Sequence, residues 1–321
     1  MKRIYTVAVT VLICAVGMIR VAEGQSRKYI SQFSHFQNYY NPGLTGYEGS
    51  TARAFVRNQW AGFEGAPGTY FLSAELDFGE LSGDADAALL SKNAVGISLL
   101  HDRYGTFVDT ELIASYASRI RLDANTNLRL GAGVNYNTVR LDGNAMTPEQ
   151  AGDPVLGRYL NSFADMHILD FNLGLALTHR NYYLSYGAHN VNRGAIQSGD
   201  VFMDRKPVTH IVQAGFRQAL SKDFSVILNF MQRMQADLPD NTELNLKVLM
   251  LDRLWLGAGH RRDYANNFQL GLVLDRFRVG YIYELPSIGS YLLPNTTHEF
   301  TAVFNLFRSN ERRTEDEVLI W

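Results

Sequence analysis

The sequence predicts an all-β protein, a transmembrane antiparallel β-barrel of about 14 strands with an N-terminal plug-like segment. Two observations predict this fold. Apolar and polar residues alternate with a period of two along many segments, and the connections between these segments are alternately short and long. Beyond the N-terminal region, no stretch approaches the roughly 18 apolar residues of a membrane-spanning helix. A composition of 46% apolar and 19% charged residues excludes intrinsic disorder.

Residues 1–24 are predicted to form a secretory signal peptide. A basic start precedes an apolar run over residues 4–19, and Ala22-Glu23-Gly24 offers small residues at the cleavage positions. An uncleaved membrane anchor is the alternative, but Arg20 ends the apolar run short of a full span. Cys14 is the only cysteine and lies in this segment, so the mature chain is expected to contain no thiol.

Residues 25–50 are predicted to precede the first strand as a compact segment. Asn41-Pro42 favours an extended entry, and Gly43 and Gly46 permit positive φ angles. Such a segment could lie in the barrel lumen as a plug or remain in the periplasm as a disordered leader. Both alternatives are open at this point.

The barrel is predicted to occupy residues 51–307. Its pattern is clear between Leu244 and Met250, where aliphatic residues alternate with Asn245 and Lys247. Each predicted strand is long enough to cross a bilayer at a tilt. The predicted strands are 51–60, 69–78, 94–103, 107–118, 127–137, 165–178, 181–189, 208–218, 223–233, 242–251, 254–261, 266–274, 277–285 and 297–307.

The connections fall into two classes, which is typical of outer-membrane barrels with short periplasmic turns and longer outer loops. The short class comprises 118–126, 179–181, 218–223, 251–253 and 275–276. The mostly longer, polar class comprises 137–164, 190–207, 234–241, 262–265 and 285–296. The connection 79–93 is an exception, because its parity places a long segment among the short turns.

Residues 308–321 follow the last predicted strand. The stretch 308–317 is polar and is followed by Val318-Leu319-Ile320-Trp321. With an even number of strands, both ends of the barrel lie on the periplasmic side. The segment is therefore expected to hang in the periplasm as a C-terminal tail.

The sequence predicts no enzyme, no cofactor site and no metal site. It contains no Gly-x-Ser-x-Gly elbow, no His-Glu-x-x-His and no phosphate-binding glycine loop. Ser185 and His189 share a strand face, but four residues place them about 13 Å apart, too far for a nucleophile and its base. A net charge of −2 without a basic block also argues against a nucleic-acid partner.

Two short patterns in the first third of the chain carry a family resemblance. They read Asn41-Pro42-Gly43-Leu44-Thr45-Gly46 and Arg57-Asn58-Gln59-Trp60-Ala61-Gly62-Phe63-Glu64-Gly65-Ala66-Pro67-Gly68-Thr69. With them the chain resembles the PorP/SprF family of the type IX secretion and gliding system, whose members carry Asn-Pro-x-x-x-Gly and then Arg-x-Gln-Trp-x-Gly-x-x-Gly-x-Pro-x-Thr. The matching positions are Asn41, Pro42, Gly46, Arg57, Gln59, Trp60, Gly62, Gly65, Pro67 and Thr69.

Similarity to the family continues to the final predicted strand, which contains His298-Glu299. Two features depart from the pattern. Asn295-Thr296-Thr297 precedes His298 where the family has Gly-Ser, and the tail after Phe307 is longer than usual.

The resemblance implies an outer-membrane protein of the type IX system. It implies that the barrel supports export or surface attachment of a secreted client protein, with outer-membrane lipid and secretion components as further partners. The alternation of residues supports only a barrel, so a passive or hydrophobic-substrate channel remains the alternative function.

The second motif also has a physical interpretation. Its glycines and proline are expected to set a tight first loop, and Trp60 is expected to anchor at the outer membrane interface. Arg57 and Gln59 share a strand face, with Glu75 and Asp77 on the opposing strand. These four residues are expected to form an inward polar cluster, which either stabilises the barrel or binds a ligand.

Overall fold

The structure is a computed structural model that describes residues 30–62, 65–82, 93–145, 158–203, 206–236, 238–287, 296–307 and 320–321. The predicted signal peptide lies outside the described residues, as do residues 308–319 of the predicted tail. Among the described residues, no helix has the length and apolar character needed to cross a membrane.

The strands form one closed antiparallel β-barrel, which confirms the predicted fold class. Apart from the short β8, each strand pairs with the strands before and after it, with β7 pairing directly with β9. The first strand pairs with the last, and the pairing of β5 with β6 completes the ring. The strands are β1 Thr51–Asn58, β2 Gly68–Asp77, β3 Asn93–Tyr104, β4 Phe107–Arg121, β5 Thr126–Asp142, β6 Phe163–His179, β7 Tyr182–His189, β8 Ile196–Gly199, β9 Thr209–Ala219, β10 Phe224–Gln235, β11 Leu238–Met250, β12 Leu254–Arg261, β13 Ala265–Leu274, β14 Phe277–Pro286 and β15 Thr297–Asn305.

Every predicted strand corresponds to one barrel strand, and β8 is an additional short strand. It pairs only with β6, beside the end of β7, and at four residues it is too short to give a periodic pattern. Most of the segment 234–241, predicted as a longer connection, is instead strand, because β10 continues to Gln235 and β11 begins at Leu238. Both strands run further than their apolar stretches, because Asn241 pairs with Arg233 and Leu238 pairs with Gln235.

The longer connections join β1 to β2, β5 to β6, β7 to β9 and β14 to β15, and all four lie at one end of the barrel. We call this the loop end and the opposite end the turn end. The exceptional connection after β2 starts with a short helix, Phe78–Ser82, at the turn end. Its Glu80 accepts a hydrogen bond of 2.6 Å from the backbone N–H of Ser50, which ties the helix to the start of β1.

The two faces of the wall differ in polarity as the alternation predicts. On β11, Leu244 and Leu246 point outward and are exposed, whereas Glu243 and Lys247 point into the lumen and are buried. Outward aliphatic side chains suit contact with lipid. The polar inner face requires partners inside the lumen, because buried charges are costly when unpaired.

Residues 30–50 occupy the lumen, and we call them the plug. The plug contains short helical turns at Phe33–His35, Gln37–Tyr40 and Pro42–Leu44. The ring of Phe36 is fully buried and packs edge-on against Phe55 of β1 and Phe71 of β2, with centroid distances of 4.9 and 5.3 Å. The aromatic residues of the plug therefore pack against the few apolar side chains on the inner wall.

The end of the predicted tail lies inside the barrel, which corrects the expectation that it hangs in the periplasm. Ile320 and Trp321 are buried. The ring of Trp321 packs against His35 of the plug at 5.1 Å and against Trp255 of β12 at 5.9 Å. Burial of the indole is favourable because it removes a large apolar surface from water. The strongly polar stretch before Trp321 led to the prediction that the whole tail is exposed.

Candidate functional site

The interface between the plug and the inner wall concentrates the buried charges of the protein. Near the loop end, Arg57 of β1 donates to Glu284 of β14 at 2.8 Å and to Glu299 of β15 at 3.2 Å. The same guanidinium donates to the hydroxyl of Ser31 in the plug at 2.6 Å. Arg57 thus joins two wall strands to the plug.

A second arginine extends this group. Arg261 of β12 pairs with Glu243 at 3.1 Å and with Glu284 at 3.2 Å. We call Arg57, Glu243, Arg261, Glu284 and Glu299 the Arg57 cluster. It contains two guanidinium groups and three carboxylates, all of which are buried.

The Arg57 cluster has one carboxylate more than it has guanidinium groups, and the plug supplies hydrogen-bond donors to the carboxylate of Glu299. Glu299 accepts hydrogen bonds from the backbone N–H groups of Ser31 at 2.9 Å and Gln32 at 3.1 Å. Charge-assisted hydrogen bonds of this kind stabilise a buried carboxylate. The wall cluster is therefore complete only when the plug is in place.

Near the turn end, a second cluster joins the plug to the wall. Arg53 of β1 pairs with Glu75 of β2 at 2.8 Å and with Glu48 of the plug at 2.9 Å. Glu48 also pairs with Arg278 of β14 at 2.8 Å. The backbone N–H of Gly46 donates to Glu75 at 2.7 Å, so this carboxylate binds both wall and plug.

The expected cluster of Arg57 and Gln59 with Glu75 and Asp77 is wrong in its pairing. In the antiparallel register of β1 and β2, Arg57 lies opposite Thr69, whereas Glu75 lies opposite Thr51. Glu75 and Asp77 are therefore at the turn end, far along the strand from Arg57. The sequence identified the inward face correctly but not the position along the barrel.

A row of three glycines receives the Asn41-Pro42-Gly43 corner of the plug. Gly131 of β5, Gly174 of β6 and Gly187 of β7 lie side by side in the strand register. A Cβ atom added at Gly131 would lie 2.3 Å from the backbone of this corner, and one at Gly174 would lie 1.9 Å from Oδ1 of Asn41. Only a wall without side chains at these positions accommodates the plug at this distance.

Asn41 locks the corner onto the wall. Its Oδ1 accepts from the N–H of Gly43 at 2.8 Å, which closes the turn, and its Nδ2 donates to the carbonyl of Leu175 at 3.1 Å. One further wall residue, Arg129 of β5, holds the adjoining plug backbone. Arg129 donates to the carbonyls of Gly43 and Thr45 at 3.0 and 2.8 Å.

The whole barrel, with its plug, matches a known family. The family model described as "Type IX secretion system membrane protein PorP/SprF" matches residues 22–304. The chain belongs to the PorP/SprF family. Membership places this β-barrel in the outer membrane and implies association with the membrane and with type IX secretion components.

Solved structures with barrel folds are also similar to this PorP/SprF protein. The Pseudomonas putida toluene transporter TodX is 10% identical with a TM-score of 0.48, covering 88% of this chain and 95% of that chain. The CymD monoaromatic hydrocarbon channel is 10% identical with a TM-score of 0.47, covering 90% and 94%. Such distant likenesses carry no inference about substrate. No curated protein sequence matches the chain.

Several PorP/SprF motif residues meet at the plug–wall interface. On the plug side, Asn41 and Pro42 contact the glycine row, and Gly46 has a positive φ of 68° that brings it against Ala94 of β3. On the wall side, Arg57 and Glu299 both belong to the Arg57 cluster. One salt bridge thus joins Arg57 on the first strand to Glu299 on the last strand, although the two residues are far apart in the sequence.

The remaining motif residues shape the loop between β1 and β2 and its junction with β2. The backbone N–H of Gln59 donates to the carbonyl of Pro67 at 3.0 Å, and Trp60 has a φ of 53°. Gly62 and Gly65 also adopt positive φ angles, in agreement with the expected tight loop. Thr69 donates to Asp102 of β3 at 2.6 Å at the loop end.

His298 and Glu299 point to opposite faces of β15, as alternation along a strand requires. Glu299 faces the lumen, whereas Nδ1 of His298 lies 2.7 Å from the hydroxyl of Tyr281 on the outer face. The two residues therefore contribute to different surfaces. The described residues contain no group of three or more histidine, cysteine, aspartate or glutamate side chains placed to hold a metal ion.

The sequence did not indicate several residues of the interface. Glu284, Arg261 and Glu243 lie on the inward faces of their strands, but the sequence of one strand does not reveal its partner on another. The glycine row was detectable in part, because a glycine in the middle of a strand signals a close approach of backbone. Gly131 and Gly174 both occupy such positions.

Proposed function

We propose that this plugged barrel is a docking partner for one secreted client of the type IX system, and that it supports export of that client or its attachment to the cell surface. The observation that carries the proposal is the filled lumen of a barrel that belongs to a type IX secretion family. A plugged barrel offers surfaces for binding rather than a path for diffusion. The client, secretion components and outer-membrane lipid are its proposed partners.

The contacts of the plug argue against a passive channel. Removal of one partner from a buried ion pair costs roughly 3–5 kcal/mol, because the other charge is left buried and unpaired. Withdrawal of the plug would break the pairs of Glu48 with Arg53 and Arg278 together. It would also remove the two backbone donors of Glu299.

The charge of the lumen argues against a channel for hydrophobic substrates. A hydrophobic solute on an axial path would have to pass Arg57, Arg261 and Glu284, all buried on the inner wall. Desolvation of these groups by an apolar molecule would be unfavourable. The alternative function that the sequence left open is therefore the weaker one.

The proposed client surface is the loop end, which we propose faces the outside of the cell. The connection between β7 and β9 is fixed to the wall there, because Asn192 donates to the carbonyl of Leu169 at 2.9 Å and Gly194 to Asp170 at 2.8 Å. This connection carries the exposed apolar residues Ile196 and Val201. Exposed apolar groups on a fixed loop suit protein binding.

Loop variants test the proposal in cells. We expect Ile196→Ser with Val201→Ser, or replacement of residues 146–157 by a short Gly-Ser linker, to leave the barrel folded because loops tolerate change. The client should be degraded, released to the medium or lost from the surface, while other type IX clients are still exported. Leu220→Ser, which alters an exposed leucine at the turn end, is the matched control.

Two results would contradict the proposal. One is an unchanged surface level of every secreted protein in the loop variants. The other is altered solute uptake with unchanged surface proteins, which would support the passive channel.

A further inference from the structure

The histidines of this chain are concentrated on the outer face of the barrel wall, near the loop end. The chain has eight histidines. Of these, the ones that point outward within a few residues of the loop end are His101, His167, His210, His260 and His298. We call them the histidine girdle.

Their outward direction follows from strand alternation. The flanking residues Leu100, Ile168 and Ile211 are buried on the inner face, so His101, His167 and His210 must lie on the outer face. The same parity holds for His260 beside the inward Arg261 and for His298 beside the inward Glu299.

The strand register aligns two members of the girdle in one row across the wall. His101 of β3 lies opposite Thr110 of β4, which lies opposite Thr138 of β5, which in turn lies opposite His167 of β6. These four positions form one continuous row across four strands. The row is a property of the assembled wall and has no counterpart in sequence spacing.

Three of the imidazoles are held by tyrosines on neighbouring strands. The Tyr136 hydroxyl lies 3.1 Å from Nδ1 of His167, that of Tyr186 lies 2.6 Å from Nδ1 of His210, and that of Tyr281 lies 2.7 Å from Nδ1 of His298. The first two pairs are also stacked, with centroid distances of 5.9 and 6.0 Å. The repetition of one geometry on separate strand pairs indicates a built feature.

This geometry leaves a polar atom facing the surroundings. When a tyrosine hydroxyl donates to Nδ1, the proton of the neutral ring is on Nε2. In the part of the chain that the structure describes, Nε2 of His167 and of His210 makes no hydrogen bond, and the same holds for His101 and His260, whose Nδ1 atoms contact Thr110 and Asn266. These rings therefore have an N–H or a lone pair to offer outside the protein.

The level of the girdle is the border between apolar and charged surface. On β3, the outward residues Ile97 and Leu99 lie on the membrane side of His101, and the exposed Arg103 lies on its other side. Beside His167, the outward Arg140 pairs with Asp165 at 2.7 Å one step closer to the loops. His260 is likewise followed two residues later by the exposed Arg262, which pairs with the exposed Asp263 at 3.5 Å.

That border is where lipid headgroups lie, and the side chains suit phosphate. His101 and Arg103 point to the same side about 7 Å apart along the strand, and His260 and Arg262 have the same spacing in sequence. An imidazole N–H and a guanidinium at this spacing can bind one phosphate group together. Apolar anchoring alone would not require an arginine beside the ring.

We propose that the histidine girdle and the adjacent arginines form a binding surface for phosphate groups of outer-leaflet lipid headgroups. Tyrosines orient three of the imidazoles, Thr110 and Asn266 contact the other two, and the arginines supply the positive charge. The surface lies on the outer wall, so it is separate from the plug–wall interface and from the loops proposed to bind the client.

The experiment uses the full-length protein in a neutral detergent, titrated with bis-phosphorylated lipid A and, separately, with the dephosphorylated glycolipid. Bound lipid is counted by native mass spectrometry. The test variant combines His101→Gln, His167→Gln and His210→Gln. The control is His179→Gln, because His179 also faces outward and stacks on Tyr182 at 4.4 Å, but lies at the turn end.

We expect the triple variant to bind the phosphorylated lipid at least about tenfold more weakly, a difference of roughly 1.4 kcal/mol. The His179 variant should bind like the unaltered protein, and the dephosphorylated lipid should bind weakly to all forms. Heat-modifiable migration of the triple variant in gels establishes that its barrel is folded. A second variant, Arg103→Gln with Arg262→Gln, should show the same loss if the first fails to fold.

Three outcomes would overturn the proposal. These are equal binding by the folded triple variant, equal binding of the dephosphorylated lipid, and displacement of the lipid by inorganic phosphate at the same concentration. The last result would indicate a site for the free anion rather than for a headgroup.

Discussion

Arg57 and Glu284 lie on strands β1 and β14, which are separated by β15, and their side chains meet at 2.8 Å on the inner wall. Ser31 of the plug bonds to both side chains, at 2.6 Å in each case. A family motif residue at the start of the barrel therefore reaches across the closing strand and fixes the plug. The contacts with Glu284 and Ser31 explain why residue 57 is an arginine, because formation of the strand alone does not require one.

Arg57→Gln is expected to loosen the plug, because Glu299 loses its only charged partner among the described residues. The free energy of unfolding should fall by roughly 3 kcal/mol, which is typical of a broken buried pair. The measurement is the denaturation midpoint of the barrel in detergent, together with single-channel conductance in planar bilayers. Conductance steps should appear or increase.

Arg140→Gln is the control for the arginine variant. Arg140 pairs with Asp165 on the outer surface, where its side chain is 54% exposed, so its loss should cost at most about 1 kcal/mol. It should not change conductance. Equal effects of the two variants would show that the Arg57 cluster does not hold the plug.

Gly131→Ala is expected to displace the Asn41-Pro42-Gly43 corner, because the new methyl group would lie 2.3 Å from Pro42 and Gly43 backbone atoms. Overpacking of this kind costs typically about 1–3 kcal/mol. Limited proteolysis of the plug, in protein purified in detergent, should become faster.

Gly133→Ala provides a control on the same strand and the same inner face. Its added methyl group would meet its nearest neighbour, the carbonyl oxygen of Ala114, at 3.4 Å, which is an ordinary contact. Proteolysis should match that of the unaltered protein. If both alanine variants behave alike, close packing at the glycine row is not what positions the corner.

The sequence predicted the strands well because each strand has one face toward lipid and the other toward a polar interior. Apolar and polar residues therefore alternate with a period of two. Register and partners could not be predicted, since they depend on which strand lies beside which. Asn245 illustrates the difference. Its inward direction was predictable, but its hydrogen bond of 3.0 Å to the carbonyl of Ser31 depends on the path of the plug.

The position of Trp321 illustrates a second limit. An apolar end after a polar stretch is ambiguous, and only the assembled lumen offers it Trp255 and a cation–π contact of 4.5 Å with Arg278. The candidate site was predictable in part, through Asn41 and Arg57. Their partners Gly174 and Glu284 required the closed barrel.

The orientation of the barrel is tested by single cysteines, since the only native cysteine, Cys14, lies in the predicted signal peptide. A membrane-impermeant thiol reagent on intact cells should label cysteine at position 198, in β8 at the loop end, and at position 153, which lies outside the described residues. It should not label positions 181 and 252, in the turns after β6 and β11. Reversed labelling would contradict the proposed outward direction of the loop end.

We propose that the barrel serves one secreted protein and does not conduct solutes. The most direct measurement is quantitative mass spectrometry of proteins at the surface and in the medium, comparing a strain that lacks this protein with the same strain complemented by the full chain. Docking predicts that one type IX client is lost from the surface or released, that complementation restores it, and that other clients remain. An unchanged surface proteome in the deletion strain would contradict the docking role.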